Sequence, residues 1–210
     1  MSFRLVVLAS GSGTNLQAIL DQLHGHKAGD QGPVVELAGV ASDKPSAGAL
    51  VRAREAGVDN SVFPGSEYGG RAERDAAMAD WIEARGGDLV VLAGYMQLLS
   101  AGFVARFRGR IVNVHPALLP SFPGLDAIGQ ALAHGVRITG VTVHFVDEGV
   151  DSGPIIAQRA VPVPPDRDRA ALEDAIHRTE HALYPETIRM IAQGRVRIDP
   201  HEPRLVIIDD

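Results

Sequence analysis

The sequence predicts an α/β fold, a single domain built on a mostly parallel, Rossmann-like sheet with helices on both faces. Short apolar runs alternate with helical segments along the chain, which is the order that parallel strands and crossover helices require. The early strand segments are continuous apolar runs, as expected for strands buried on both faces. Two later segments are longer and alternate in polarity, which predicts some antiparallel strands in the C-terminal half. With 210 residues, 45% of them hydrophobic, one core is expected.

The first half of the chain is predicted to alternate strands and helices. Apolar runs predict strands at 3–9, 34–42, 59–63 and 88–94. The intervening helices are expected to begin at Thr14 or Asn15, to cover 46–57, and to cover 66–87. In the first helix, apolar residues at 16, 19, 20 and 23 have the spacing of one helical face.

The second half is predicted to contain longer strands and one long helix. Strands are expected at 110–115, 137–146 and 154–163, with a helix ending at Gly135 before the second of them. Residues 168–193 are expected to form the long helix, and two short strands should follow at 195–198 and 204–208.

Composition narrows the class of function. The formal net charge is −6 and there is no basic run, so we expect no nucleic-acid partner. The absence of cysteine excludes disulfides and thiolate chemistry and suits a cytoplasmic protein. The N-terminal apolar run is too short for a signal peptide or a membrane span, so no membrane partner is expected. The histidines lack metal-ligand spacing, and no metal is expected.

The loop after the first strand, ASGSGTNLQAI, has the character of an anion site. Glycines let the backbone approach a ligand closely, and the first N–H groups of the helix would be contributed by Gly13, Thr14 and Asn15. No GK[ST] follows, so this is not a Walker A loop, and Leu16 replaces the third glycine of a dinucleotide motif. A tight turn capped by Thr or Asn remains the alternative.

The segment RIVNVHPALLPSFPG places polar groups at the end of an apolar strand. Because side chains alternate across a strand, Asn113 and His115 share one face and the neighbouring valines share the other. The three prolines that follow stiffen the loop and hold the imidazole and carboxamide on a rigid element, as preorganised catalysis requires. The alternative is a hydrogen-bonded Asn–His pair that closes a loop.

A carboxylate to accompany His115 is available in the loop VDEGVDSGPII. The candidates are Asp147, Glu148 and Asp151, and Asp151 is favoured because it begins a turn that could face the cleft. A nearby carboxylate stabilises an imidazolium and could order a water between the two groups. The alternative role for Asp151 is to start an Asx turn.

Two further polar residues fall among apolar ones. On the last helix Glu180 lies near the middle of the stripe formed by Leu172, Ile176 and Leu183, so it must be paired or must face a ligand pocket. A buried ion pair is the alternative. His144 alternates with valine and phenylalanine on its strand and is interpreted as a hydrogen-bonded core histidine.

Three segments together resemble a known family. VVLASGSGTNLQAIL, VVLAGYMQLLS…NVHPALLPSFPG and GVTVHFVDEGVDSGPII are similar to phosphoribosylglycinamide formyltransferases, the 10-formyltetrahydrofolate-dependent enzymes of purine synthesis. The resemblance extends from about Leu5 to Gly194 and implies the formyltransferase version of the fold. Related tRNA formyltransferases and formyltetrahydrofolate hydrolases would carry an extra domain, which we do not expect here.

The resemblance implies roles for particular residues. The catalytic set would be Asn113, His115 and Asp151. The ribonucleotide would be bound through its phosphate by Gly13, Thr14 and Asn15 and elsewhere by His177, Arg178, Thr179 and Glu180. The folate would be bound by Arg71, Met96, Gln97, Leu98, Leu99, Asn113, Asp147, Glu148, Gly149, Val150 and Asp151. Met96 and the leucines could equally be ordinary core at a helix start.

The implied reaction is formyl transfer from 10-formyltetrahydrofolate, as co-substrate, to the amine of glycinamide ribonucleotide. The resemblance also implies one domain over 1–210, with a phosphate-binding half at 1–100 and a folate and catalytic half at 101–210, as a monomer or homodimer. Many relatives have PGLHxHRQAL where this chain has PGLDAIGQAL, so Asp126, Ile128 and Gly129 are departures. From the residues alone, a nucleotide-cofactor oxidoreductase and a non-catalytic phosphoribosyl-binding module remain open.

Overall fold

The computed structural model describes residues 2–209. Its first elements are β1 (Ser2–Leu8), α1 (Thr14–Leu23), β2 (Val34–Ser42), α2 (Gly48–Glu55), β3 (Asn60–Val62), α3 (Arg71–Glu83), β4 (Leu89–Leu92) and α4 (Ala101–Arg106). They are followed by β5 (Ile111–His115), α5 (Ala127–His134), β6 (Ile138–Phe145), β7 (Ile155–Pro162), α6 (Arg169–Ala192), β8 (Val196–Ile198) and β9 (Val206–Ile208).

The main sheet has seven strands in the order β3-β2-β1-β4-β5-β6-β7. β1 pairs in parallel with both β2 and β4, and β2 pairs in parallel with β3. β6 and β7 are antiparallel, and β8 and β9 form a separate antiparallel pair. The predicted fold class, a mostly parallel sheet flanked by helices with antiparallel strands in the C-terminal half, is confirmed.

The chain forms two compact units, which divide inside β5 between Val112 and Asn113. In the first unit, β1 and β4 are buried along most of their length, as continuous apolar runs require. The loops that follow these two strands are joined by hydrogen bonds from Ser10 N–H to the Gly94 carbonyl (3.1 Å) and from Met96 N–H to Ser10 Oγ (2.9 Å). These hydrogen bonds therefore fix the loops at the carboxyl ends of β1 and β4 to each other.

The second unit packs α6 against β6 and β7. The antiparallel register of these strands shifts between Val143 and His144, so an irregularity falls at the histidine. Such bulges redirect a side chain away from its regular alternation. Among residues 2–209, no helix is both long and apolar enough to cross a membrane.

Two predictions about helices differ from the structure. The helix predicted over 66–87 is preceded by a short 3₁₀ turn at Gly65–Glu67, and α3 begins only at Arg71. The glycines before it favour a loop, and Gly69 N–H donates to Glu73 Oε2 (2.8 Å). The alternative of a helix start at Met96 and the leucines is also wrong, because α4 begins only at Ala101, and its six residues are too few for a periodic pattern.

Candidate active site

The loop between β1 and α1 ends in the residue that caps the helix. Gly13 is the N-cap, with φ 76°, and the helix begins at Thr14. The alternative in which Thr14 or Asn15 caps the helix is therefore wrong, because both lie in its first turn. First-turn N–H groups lack intrahelical acceptors and carry the positive end of the helix dipole, so this terminus can bind an anion.

Neighbouring groups hold this loop in place. Arg52 Nε donates to the Ser12 carbonyl (2.9 Å), and Ala49 N–H donates to the Gly11 carbonyl (3.2 Å). The carbonyls are thus engaged by α2, which orients the loop without using the N–H groups at the start of α1. A loop fixed in this way is suited to receive a phosphate without reorganising.

We predict that Gly13→Ala will be far more disruptive than Gly11→Ala. An alanine Cβ at position 13 would lie 2.7 Å from the Ala49 Cα, and the positive φ adds about 1–2 kcal/mol of strain. At Gly11 a Cβ would meet nothing within 4 Å. Urea denaturation should show a loss of at least about 1–2 kcal/mol for the first variant and below about 0.5 for the second. Equal losses would contradict the prediction.

Four of the residues assigned to the folate line a cavity in the first unit. Arg71, Met96, Gln97 and Leu98 border a space of about 350 Å³, together with Gly65, Gly70 and Arg74. Met96 and Leu98 are 61% and 59% exposed, so they are not ordinary core residues. Leu99 is half-buried and does not line this cavity. An apolar surface beside the Arg71 cation suits a flat molecule that bears a carboxylate.

In the second unit, Asn113, His115 and Asp151 converge. His115 Nδ1 lies 3.3 Å from Asp151 Oδ2, and Asn113 Nδ2 donates to Asp151 Oδ1 over 3.4 Å. Asp151 Oδ2 also accepts from Gly124 N–H (2.8 Å), and His115 Nε2 donates to the Phe122 carbonyl (2.8 Å). His115 is 4% exposed. The carboxylate and imidazole therefore meet directly, and the expected intervening water has no room between them.

The hydrogen-bond partners of His115 suit a doubly protonated ring. One ring nitrogen faces a carboxylate and the other faces a carbonyl, and both of these groups can only accept. Burial raises the pKa of Asp151, but its contact with His144, the Gly124 N–H and the charge of His115 outweigh burial and hold that pKa below its ordinary value. The carboxylate is therefore ionised at neutral pH.

His144 is buried and hydrogen-bonded, as expected, but it also contacts the catalytic candidates. Its Nδ1 donates to the Phe145 carbonyl (2.8 Å), while Nε2 lies 3.2 Å from Asn113 Nδ2 and 3.7 Å from Asp151 Oδ1. The register shift at this residue is the feature that strand alternation cannot reveal. His144, interpreted from the sequence as a core histidine, is thus a fourth polar member of this cluster.

The loop 147–151 is folded on itself. Asp147 Oδ1 accepts from Gly149 N–H (3.0 Å) and from Ser152 Oγ (2.7 Å), so Asp147 starts the Asx-type turn that was considered for Asp151. Asp151 has φ 50°, and Phe122, whose carbonyl binds His115, has φ 56°. Both non-glycine residues adopt a left-handed conformation, which clusters at functional sites.

The residues assigned to the ribonucleotide on α6 occupy one turn. His177 and Arg178 are exposed, and Thr179 Oγ1 donates to the Ala175 carbonyl of its own helix (2.8 Å). Glu180 is 5% exposed, among buried Leu172, Ile176 and Leu183, as its position in the apolar stripe indicated.

The departures at 126–129 depend on one another. Asp126 is the N-cap of α5, and its Oδ1 accepts from Gly129 N–H (3.2 Å) and from Arg169 Nη2 (2.7 Å). A Cβ at position 129 would lie 2.1 Å from Asp126 Oδ2, so this cap needs a glycine there. Ile128 is buried. Asp126 and Gly129 thus form a capping interaction at the start of α5.

A strand-end Asn and His thus face a loop carboxylate on a mostly parallel α/β sheet. Residues 3–188 match the family model described as formyl transferase, and the chain belongs to this family. Among residues 2–209, no three His, Asp or Glu side chains are grouped so that they could hold a metal ion.

Individual relatives are named more specifically. The chain is 40% identical over 195 residues to phosphoribosylglycinamide formyltransferase of Haemophilus influenzae, which covers 93% of this chain and 90% of that protein. It is 44% identical over 197 residues to the trifunctional purine biosynthetic protein adenosine-3 of Drosophila melanogaster, covering 94% of this chain but 14% of that protein. The crystal structure of glycinamide ribonucleotide transformylase 1 from Symbiobacterium toebii has a TM-score of 0.92 at 48% identity, with 100% and 95% of the chains covered.

Proposed function

We propose that this chain transfers the formyl group of 10-formyltetrahydrofolate to the amine of glycinamide ribonucleotide, a step of de novo purine (IMP) biosynthesis. The convergence of Asn113, His115 and Asp151 in the second unit is the observation that carries the proposal. The names of relatives that match this chain over most of their length support the choice of substrates. The folate acts as a co-substrate, and no metal is invoked.

The reaction needs no covalent enzyme intermediate, because the substrate amine is itself a nucleophile when neutral. Its lone pair attacks the formyl carbon, a C–N bond forms, and the carbonyl electrons move onto oxygen. Asn113 Nδ2–H and protonated His115 Nε2–H would donate to this oxyanion, and one such donor typically contributes ~3 kcal/mol. When the C–N10 bond breaks, N10 takes up the proton that the amine has lost, and tetrahydrofolate leaves.

Asp151 assists proton transfer through its direct contact with His115. Its lowered pKa keeps it ionised, so it stabilises the imidazolium and assists, through water, the transfer of the proton that the attacking amine loses. In the structure the His115 Nε2–H donates to the Phe122 carbonyl, and we propose that the substrate oxygen takes the place of that acceptor. Catalytic hydrogen bonds commonly reach their final geometry only in the substrate complex.

Binding is proposed to use the other assigned residues. Gly13, Thr14 and Asn15 would receive the phosphate at the N-terminus of α1. Arg71, beside the exposed Met96 and Leu98, would receive the folate. Small molecules are thus the proposed partners; a cytoplasmic location and a monomer or homodimer stay predictions.

One assay separates this function from the two alternatives. The chain is mixed with 10-formyltetrahydrofolate and glycinamide ribonucleotide, and the appearance of tetrahydrofolate is followed spectroscopically. A nucleotide-cofactor oxidoreductase would bind NAD and show no affinity for folate. A non-catalytic phosphoribosyl-binding module would bind the ribonucleotide but release no product, and either result would overturn the proposal.

We predict that Glu180→Gln will weaken glycinamide ribonucleotide binding by about 10-fold or more, because a hydrogen bond to a charged group contributes about 1.5–3 kcal/mol. Isothermal calorimetry measures the affinity directly. Glu173→Gln on the same helix is the control, since Glu173 is half-buried and pairs with Arg169. Unchanged affinity for the Glu180 variant would assign that residue a purely structural role.

A further inference from the structure

A buried ion pair lies beside the cavity of the first unit and has no role in the function described so far. Arg74 and Asp75 are adjacent in α3, and their side chains are 5% and 0% exposed. Arg74 donates from Nε (2.9 Å) and Nη2 (2.7 Å) to Asp75 Oδ1. Burying two charges adds little net stability compared with apolar residues of similar size, so a stabilising role alone does not account for the pair.

The remaining side-chain hydrogen bonds of the pair within residues 2–209 go to one segment, residues 96–100. Arg74 Nη1 donates to Gln97 Oε1 and Nη2 to the Leu98 carbonyl, each over 3.4 Å. On the other side of the pair, Asp75 Oδ2 accepts from Ser100 N–H (2.6 Å). Three positions in four consecutive residues are therefore fixed by two neighbouring side chains.

Gln97 is also fixed from its other end. Its Nε2 donates to Asp43 Oδ2 (3.0 Å), while its Oε1 accepts from Arg74. A carboxylate can only accept and a guanidinium can only donate, so the amide has a single orientation that satisfies both partners. Asp43, Gln97 and the Arg74–Asp75 pair thus form a continuous polar network under the segment.

Residues 96–100 need such support because their own side chains do little to hold the backbone in place. Met96 and Leu98 are largely exposed, and therefore burial of their side chains does not hold the backbone in place. We propose that the Arg74–Asp75 pair positions residues 96–100 so that Met96 and Leu98 present a preformed apolar surface to the folate. This inference rests on the proposed function and makes Arg74 and Asp75 positioning residues, not catalytic ones.

Arg74 also lines the cavity, so direct binding of the folate's acidic group is the alternative role for it. Its guanidinium, however, already donates from Nε, Nη1 and Nη2, and its charge is matched by Asp75. Arg71 lines the same cavity, is exposed, and has no ion-pair partner among residues 2–209. Arg71 is therefore the cation available to a ligand, and Arg74 acts through the segment.

The test compares Arg74→Met, Arg74→Lys and Asp75→Asn with the wild type. We expect KM for 10-formyltetrahydrofolate to rise about tenfold or more, with kcat and KM for the ribonucleotide within about twofold, because small misplacements of a binding surface are costly. Lysine keeps the charge opposite Asp75 but lacks the planar fork, so Arg74→Lys should recover thermal stability without recovering KM. Arg85→Gln, which breaks the partly exposed Arg85–Asp59 pair, is the control and should leave all three constants unchanged.

Hydrogen exchange gives a second result that needs no substrate. Peptides covering 95–100 should exchange at least about tenfold faster in Asp75→Asn, because the Ser100 N–H loses a charged acceptor. Unchanged exchange and unchanged KM would overturn the proposal, as would a fall of activity that only follows the folded fraction. If the wild type binds no folate, the proposed function fails while the exchange measurement still tests the positioning role. If Arg74→Met does not fold, the other two variants carry the comparison.

Discussion

Replacing His115 with alanine is expected to lower kcat for formyl transfer by about 100- to 1,000-fold, the usual loss when one oxyanion donor is removed. The imidazole is the group whose Nδ1 faces Asp151 and whose Nε2 can donate to the developing oxygen. Because this donor acts mainly in the transition state, KM for either substrate should change little. Steady-state kinetics with each substrate varied in turn provide the measurement.

A second substitution distinguishes a loss of catalysis from a folding defect. His115 is almost fully buried, and alanine would leave a cavity, so His115→Asn keeps more of the volume while it removes the imidazolium. Both variants should show a large loss of kcat when corrected for the folded fraction, and the loss should be smaller in His115→Asn because its neutral amide can still donate. His201→Ala, which changes an exposed histidine before β9, is the matched control. Turnover near that of the wild type in either His115 variant would remove this residue from the mechanism.

Much of the fold could be predicted because its signals are local. β2 was predicted at its observed bounds, and the first helix was expected to begin where α1 does, since buried strands and helical faces leave clear periodicities. The start of α3 and the presence of α4 depend on a glycine turn and a six-residue segment. In such short segments, a single cap or turn decides the structure and no period is visible.

The site was predictable where polar residues interrupt an apolar pattern. Asn113 and His115 stand out on β5, and Glu180 stands out on the apolar face of α6. His144 and the Arg74–Asp75 pair do not stand out in this way. The contacts of His144 depend on a register shift. Arg74 lies on a helix with many charged residues, and the sequence does not distinguish the solvated ones from Arg74, which contacts residues 96–100.

Contacts between distant segments are the part that a sequence does not encode locally. The Phe122 carbonyl and the Gly124 N–H both reach the catalytic candidates from the proline-rich loop. The prolines indicated a rigid loop, but not which backbone groups it would present. The same holds for Asp126. Its side chain can cap α5 because Gly129 has no Cβ to collide with it, and this contact has no local sequence signal.

Replacing Asp151 with asparagine is expected to lower kcat by about 100-fold or more, within the range of general acid–base contributions. The substitution keeps the shape and an oxygen that can accept from Gly124 N–H, but it removes the charge that faces His115. It also introduces donor hydrogens where His115 and Asn113 already supply donors. Asp199→Asn is the matched control, because Asp199 likewise accepts backbone N–H groups in a loop of the second unit.

The same variant should change how stability depends on pH. The pKa of Asp151 is lower in the folded chain than its ordinary value of about 3.9, so its ionised form favours folding. That contribution is fully present above about pH 3.9 and is lost as the pH falls through the folded pKa. Denaturation from pH 7 down to pH 2 should therefore show a flatter acid limb for Asp151→Asn than for the wild type or Asp199→Asn. Parallel acid limbs in all three proteins would mean that the Asp151 carboxylate gains nothing from His115, His144 and Gly124, and its proposed part in proton transfer would lose its physical basis.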